Sequence, residues 1–310
     1  MTALGRRVFL AGLLALPLAG CARARAGGLP FAAGEAGGFY AEFGTLLGAV
    51  SREAGHPLDP VTTGGSRANL ELVASGEAAV GLAMTDVVRD ARAGVPPFDR
   101  PVEYLAIGRV YENYLQLAVR ADSPFTGLPD LAGRPVSLGS TGSGSALAGA
   151  RLVALSGVAV QSLELPLTEA TAALAEGRID ALLWSGGLPT PAADALAARL
   201  AIRLLPLAGY AGGLRDVVGP GLYTATVVPP GVYGAAEPVL TIGVPNLLVA
   251  TSALADDDAG AIARMLVEHA PRLMPGSALG TRYLDQPSLV DTGDVPLHPG
   301  AAAAYRDLHG

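Results

Sequence analysis

The run Leu138 to Ser145, LGSTGSGS, sets the hydroxyls of Ser140, Thr141, Ser143 and Ser145 among the glycines Gly139, Gly142 and Gly144. Between a strand and a helix, such a loop points backbone N–H groups at one spot, at the positive end of the helix dipole, and that spot attracts anions. Small residues let a ligand reach the backbone while the hydroxyls add donors, so a carboxylate and a phosphate fit equally well. The alternative is a well-capped helix after a flexible turn. The glycine order GxxGxG reverses the dinucleotide order GxGxxG, and no lysine follows the last glycine, which argues against both nucleotide readings.

Other residues could join such a site. Gly34, Glu35, Gly37 and Gly38 lead into Phe39 and Tyr40 in a second glycine loop, and Gly65, Ser66 and Asn69 form a third candidate cluster. Thr85 and Asp86 end an apolar run, and Trp184, the single tryptophan, precedes the pair Gly186 and Gly187. Trp184 is either a wall for ligand stacking or part of the core.

Catalysis finds little support. All 21 positive residues are arginine, which removes Schiff-base chemistry, lysine bases and the phosphate-binding lysine of nucleotide loops. His56, His269, His298 and His309 fall away from the glycine loops and show no metal-ligand spacing. No GxSxG elbow occurs, and a serine without a nearby base is a weak nucleophile. Asp256 to Asp258 read as a helix start. No catalytic residue, metal or cofactor is expected.

Strands and helices must hold these loops. Leu29 to Ala33 reads as a first strand, and Phe39, Phe43, Leu46, Leu47 and Val50 fall at helical spacing after the glycines. Leu58 to Thr63 is a second strand. Ser66 reads as the capping hydroxyl of a helix closed by Gly76, and residues 79–88 as a buried parallel strand ending in Thr85 and Asp86. From Tyr114, LQLAVRADSP is a strand leading toward the opening loop. TEATAALAEGRID has helical spacing, Ala181 to Trp184 is a strand, and a helix follows the Gly186-Gly187 turn. This alternation predicts an α/β fold with mostly parallel sheets and two similarly built lobes.

The chain has 310 residues, of which 50% are hydrophobic and 16% charged, as expected of ordered globular structure. A net charge of −7 offers no basic stripe for nucleic acid. At the N-terminus, Arg6 and Arg7 precede an apolar run, Val8 to Ala19, too short for a mature bilayer-spanning helix, and Leu18 to Cys21 resembles a lipobox. Cys21, the only cysteine, is expected to carry a lipid. The Arg-Arg-Val-Phe-Leu run also resembles a twin-arginine export signal. The mature chain is expected to be exported, extracytoplasmic and tethered to the membrane by that lipid.

Four blocks carry a family resemblance: TTGGSRANLELVASGEAAVGLAMTDV (62–87), VRADSPFTGLPDLAGRPVSLGSTGSGSA (119–146), LTEATAALAEGRIDALLWSGGLPTPA (167–192) and the ending LHPGAAAAYRDLHG. Together they resemble the TAXI family, the extracytoplasmic solute-binding proteins of TRAP transporters. The resemblance implies a two-lobed, periplasmic-binding-protein-like (type II) α/β fold, with a ligand cleft between lobes joined by crossing strands. It also implies a small carboxylate ligand, such as glutamate, another amino acid or a 2-oxo acid, and delivery to a TRAP membrane permease. The corresponding organisation is a signal peptide over 1–20, a tether over 21–28, lobe 1 over 29–115 and 228–310, and lobe 2 over 116–227.

Three departures bear on the ligand. Ala33, Glu35 and Ala36 stand where the family commonly has hydroxyls, Ala79 where aspartate is usual, and Met84 where glutamine is common. A carboxylate at Glu35, if it faces the cleft, disfavours a purely anionic ligand and favours one with an ammonium group. A sensory receptor for a membrane kinase and a serine hydrolase are the competing functions. The binding reading predicts that Ser143→Ala weakens ligand binding rather than folding.

Overall fold

The computed structural model describes residues 27–274 and 284–309. The expected targeting segment, Cys21 and the expected tether as far as residue 26 lie outside them. The first half of the chain contributes β1 (Leu29–Ala32), α1 (Phe39–Glu53), β2 (Leu58–Val61), α2 (Ser66–Ser75), β3 (Val80–Met84), α3 (Thr85–Ala93) and β4 (Leu105–Arg120). Next come β5 (Pro135–Ser137), α4 (Gly144–Ser156), β6 (Gln161–Leu163), α5 (Leu167–Ala175), β7 (Ala181–Gly186) and α6 (Pro191–Ala197). The chain continues with β8 (Ile202–Leu205), α7 (Ala211–Val218), β9 (Thr224–Val228) and β10 (Val239–Ala250). It ends with α8 (Asp256–Glu268), α9 (Gln286–Val290) and α10 (Pro299–His309).

Two strands join two lobes. The strand order is β2-β1-β3-β10-β4-β7-β5-β6, with β8 on β4 and β9 on β10. β1 lies parallel to β2 and β3 in one lobe, and β5 lies parallel to β6 and β7 in the other. Along β4, Leu105 to Leu115 pair with β10, and Tyr114 to Val119 pair with β7. Along β10, Val239 to Gly243 pair with β9, and Asn246 to Val249 pair with β3. Each therefore starts in one lobe and finishes in the other. All their pairings are antiparallel, so the sheet is mixed rather than mostly parallel. Gly243 sits where the strands cross because a Cβ there would strike the Glu112 carboxylate.

Helices cover both faces of the sheet. Phe31, Phe43, Leu47 and Leu58 pack with Ile262, Leu266 and Tyr305 in one lobe. In the other, Leu174, Leu182 and Leu196 pack around Trp184. A third cluster runs without a break from Leu70, Val87 and Ala91 to Leu138, Leu152 and Tyr223, so the lobes share a core on that face. Burial of these apolar surfaces is the main force holding the layers together.

Two local expectations change. Thr85 and Asp86 open α3 rather than end a strand, since β3 stops at Met84. Ser66 is the first residue of α2 rather than its cap. The cap position is Gly65 at φ 111°, a left-handed conformation that a side chain resists, and Gly76 closes the helix as expected.

Candidate functional site

A cavity of about 50 Å³ lies between the lobes, room for about four waters. It is lined by Gly34, Glu35, Gly38, Phe39 and Tyr40 from the first glycine loop, by Gly65 and Ser66, by Ser143, Gly144 and Ser145, and by Trp184. These predicted residues therefore meet in one place. Its wall also includes Gly64, Met84, Asn113, Gly139, Ser185, Thr190 and four leucines, Leu165, Leu167, Leu182 and Leu183.

Sequence reasoning singled out Gly139 within its loop and Met84 as a departure but missed the rest of that second group, although one signal was present. Asn113 is a polar residue inside the apolar strand β4, 2% exposed, and its Oδ1 has no partner among the described residues. A buried amide oxygen without a partner costs free energy unless something reaches it. The Ser185 hydroxyl is likewise buried and unpartnered beside it. Leu167 gave no signal, because it contributes a backbone N–H.

Hydrogen bonds hold the walls in place. The Tyr40 hydroxyl donates to Asn246 Oδ1 on the crossing strand β10 and lies 3.3 Å from Ser66 Oγ. Burial pushes the Tyr40 phenol up, keeping it a donor. Ser66 Oγ accepts from Met84 N at 3.1 Å, tying α2 to the end of β3. Trp184 Nε1 donates to Thr190 Oγ1 at 3.1 Å, and its ring meets Tyr233 edge-on at 5.9 Å. The tryptophan is thus both cavity wall and core.

Other predicted residues lie off the cavity and serve its framework. Asn69 Nδ2 donates to Ala33 O and Leu82 O, both at 2.7 Å, which joins α2 to two strands. Thr85 Oγ1 donates to Pro245 O at 2.9 Å. Asp86 is fully buried, where its carboxylate accepts from Tyr223 at 2.6 Å and pairs with Arg151, which also pairs with Asp90.

The remaining predicted residues meet across the lobes and are not among the cavity lining. Ser140 Oγ donates to Gly64 O at 3.1 Å, and the Gly142 carbonyl accepts from Arg67 N and Ala68 N at 3.0 and 3.2 Å. Thr141 is exposed, with its carbonyl against Gly64. Gly37 O accepts from Ala192 N at 3.0 Å, and Gly187 makes room for the Phe39 ring. The lobes are closed on each other.

Glu35 lines the cavity, so the condition attached to it is met. Its Oε2 accepts from Leu167 N at 2.9 Å, a contact from one lobe to the first residue of α5 in the other. Burial raises the Glu35 pKa, while the bond from Leu167 N and the polar Ser140 side chain nearby pull it partly back. Among the described residues, no arginine or histidine belongs to the lining, which leaves this carboxylate without a cationic partner among them there.

Ser143 has a second role. Its Oγ caps α4, accepting from Ala146 N at 3.0 Å. Contrary to the expectation from sequence, Ser143→Ala is predicted to lower folding stability by about 1 kcal/mol, while Ser143→Gly costs only a few tenths. Denaturant unfolding of the two variants checks this, and identical midpoints for wild type and Ser143→Ala would remove the cap from the account.

Comparison with known proteins places the fold. A family model described as the NMT1-like family matches residues 31–308. A structure described as that of a periplasmic transporter is similar at 15% identity, over 92% of this chain and 94% of that one, with a TM-score of 0.53. An ABC transporter periplasmic binding protein from Brucella ovis, solved with glutathione bound, is similar at 13% identity over 79% of this chain and 69% of that one, with a TM-score of 0.50. At these identities the likeness is one of fold, and the α/β, two-lobed, periplasmic-binding-protein-like architecture is the one expected.

Proposed function

The chain belongs to the NMT1-like family, and on that premise we propose that it is an extracytoplasmic solute-binding receptor that encloses a small carboxylate between its lobes. In this reading it hands the ligand to a TRAP-type membrane permease, and a lipid on Cys21 keeps it at the membrane. In this reading the chain passes from the first lobe to the second along β4, near residue 115, and returns within β10, between Gly243 and Asn246, rather than at residue 228.

The observation that carries the reading is the cavity itself. Phe39 at the start of α1 and Gly144 at the start of α4 come from opposite lobes and face the same small space, with Ser66, Ser143 and Tyr40 beside them. Helix N-termini and hydroxyls suit a carboxylate. None of the four histidines lines the space, and the carboxylate that does, Glu35, is engaged by Leu167 N rather than by Ser143 or Ser145, which favours binding over hydrolysis. Glu35 favours a ligand that also carries an ammonium group, an amino acid or related zwitterion, over a 2-oxo acid.

Mass spectrometry of the small molecule released when freshly purified protein is denatured tests this reading. A compact carboxylic acid in near-equimolar amount is expected. A nucleotide, a lipid or any compound without a carboxylate would contradict it.

A further inference from the structure

Five helices begin at the cavity wall, at Phe39, Ser66, Gly144, Leu167 and, through its cap position, Thr190. Acceptors from the opposite lobe already meet three of them. The Gly142 carbonyl takes two N–H groups of α2, the Gly37 carbonyl takes Ala192 N of α6, and Glu35 Oε2 takes Leu167 N of α5. The helices left facing the cavity are α1, which has no side-chain cap, and α4, whose cap Ser143 bonds only Ala146 N. Among the three plugs, Glu35 alone is an anion. It is the same chemical group as the ligand proposed above.

Resting on that ligand-cleft reading, we infer that Glu35 is a specificity-determining residue: its carboxylate fills the seat at the N-terminus of α5 where a second ligand carboxylate would bind, so the cleft accepts one ligand carboxylate and excludes dicarboxylates. Charge decides. Among the described residues, no cation in the lining offsets a second negative group beside Glu35. Desolvation of the Glu35 carboxylate, whose pKa burial raises, adds to the cost of bringing another anion next to it. Glu35→Ala vacates the seat and leaves the Leu167 N–H without its acceptor. An added carboxylate can then complete it.

Succinate and acetate are the probes, titrated into ligand-stripped wild type, Glu35→Ala and Glu35→Gln. Succinate is expected to bind Glu35→Ala more tightly than wild type by about tenfold or more, and acetate is expected to raise the melting temperature of that variant by more than it raises that of wild type. Glu35→Gln keeps the side chain's shape and an acceptor for Leu167 N, so it should gain succinate affinity to a smaller degree through lost repulsion. It carries the test if Glu35→Ala fails to fold. Equal succinate affinity in all three proteins, or no gain in either variant, overturns the role of Glu35. Binding of an acid with one carboxylate to wild type, followed in the same series, stands apart: its absence removes the functional reading, whereas a wild type that binds such an acid and binds succinate as tightly as the variants do loses only this inference.

Discussion

Gly144→Val is expected to weaken ligand binding about 10- to 100-fold, the equivalent of about 1–3 kcal/mol of overpacking. Gly144 is the first residue of α4, and its backbone is compatible with any side chain. What forbids a side chain is the other lobe. A Cβ there would lie 2.5 Å from Met84 Sδ and 2.6 Å from Ser66 Oγ. Because Met84 and Ser66 belong to the opposite lobe, the clash acts against closure and is relieved when the lobes part. Small-angle scattering should therefore report a larger radius of gyration for the variant than for wild type. A variant as compact as wild type, with normal affinity, would mean that the closed arrangement is not the binding form.

Arg151→Leu is expected to cost about 3 kcal/mol of stability, or roughly 6–10 °C in melting temperature. Arg151 of α4 pairs with Asp86 and Asp90 of α3, and Asp86 has no side-chain exposure. Removing the guanidinium leaves a buried carboxylate facing only the Tyr223 hydroxyl, a loss larger than the net value of the pair itself. The paired change Arg151→Leu with Asp86→Asn should recover part of the loss, because the residual charge is gone. Melting curves of the two single variants and the double variant check this. Additive losses would show that the groups do not act as a unit.

Much of the molecule is legible in its sequence, and the limits have physical causes. The helical spacing of Phe39, Phe43, Leu47 and Val50 finds α1, and the serine-glycine run finds the loop and helix from Ser143 onward, because both are local patterns. The start of β4 at Leu105 is not visible. A strand buried on both faces has no alternation to mark it, and its partner β10 lies far along the chain. The same limit applies at the site. Glycines and hydroxyls locate the cavity, but which helix N-termini remain open depends on contacts across the lobes. Gly142 is called for its place in an anion loop, yet its carbonyl serves α2. Glu35 stands out as a departure from a resemblance, and only the fold shows that its carboxylate reaches Leu167.

The central claim is that one small carboxylate is held between the lobes at α1 and α4. Calorimetric titration of ligand-stripped wild type and Gly144→Val with a panel of amino acids, 2-oxo acids and dicarboxylates tests it most directly. The account predicts one-to-one binding of at least one compact acid with a single carboxylate to wild type, sharply weakened in Gly144→Val. No binding by any member of the panel, or equal affinity in the two proteins, would contradict it.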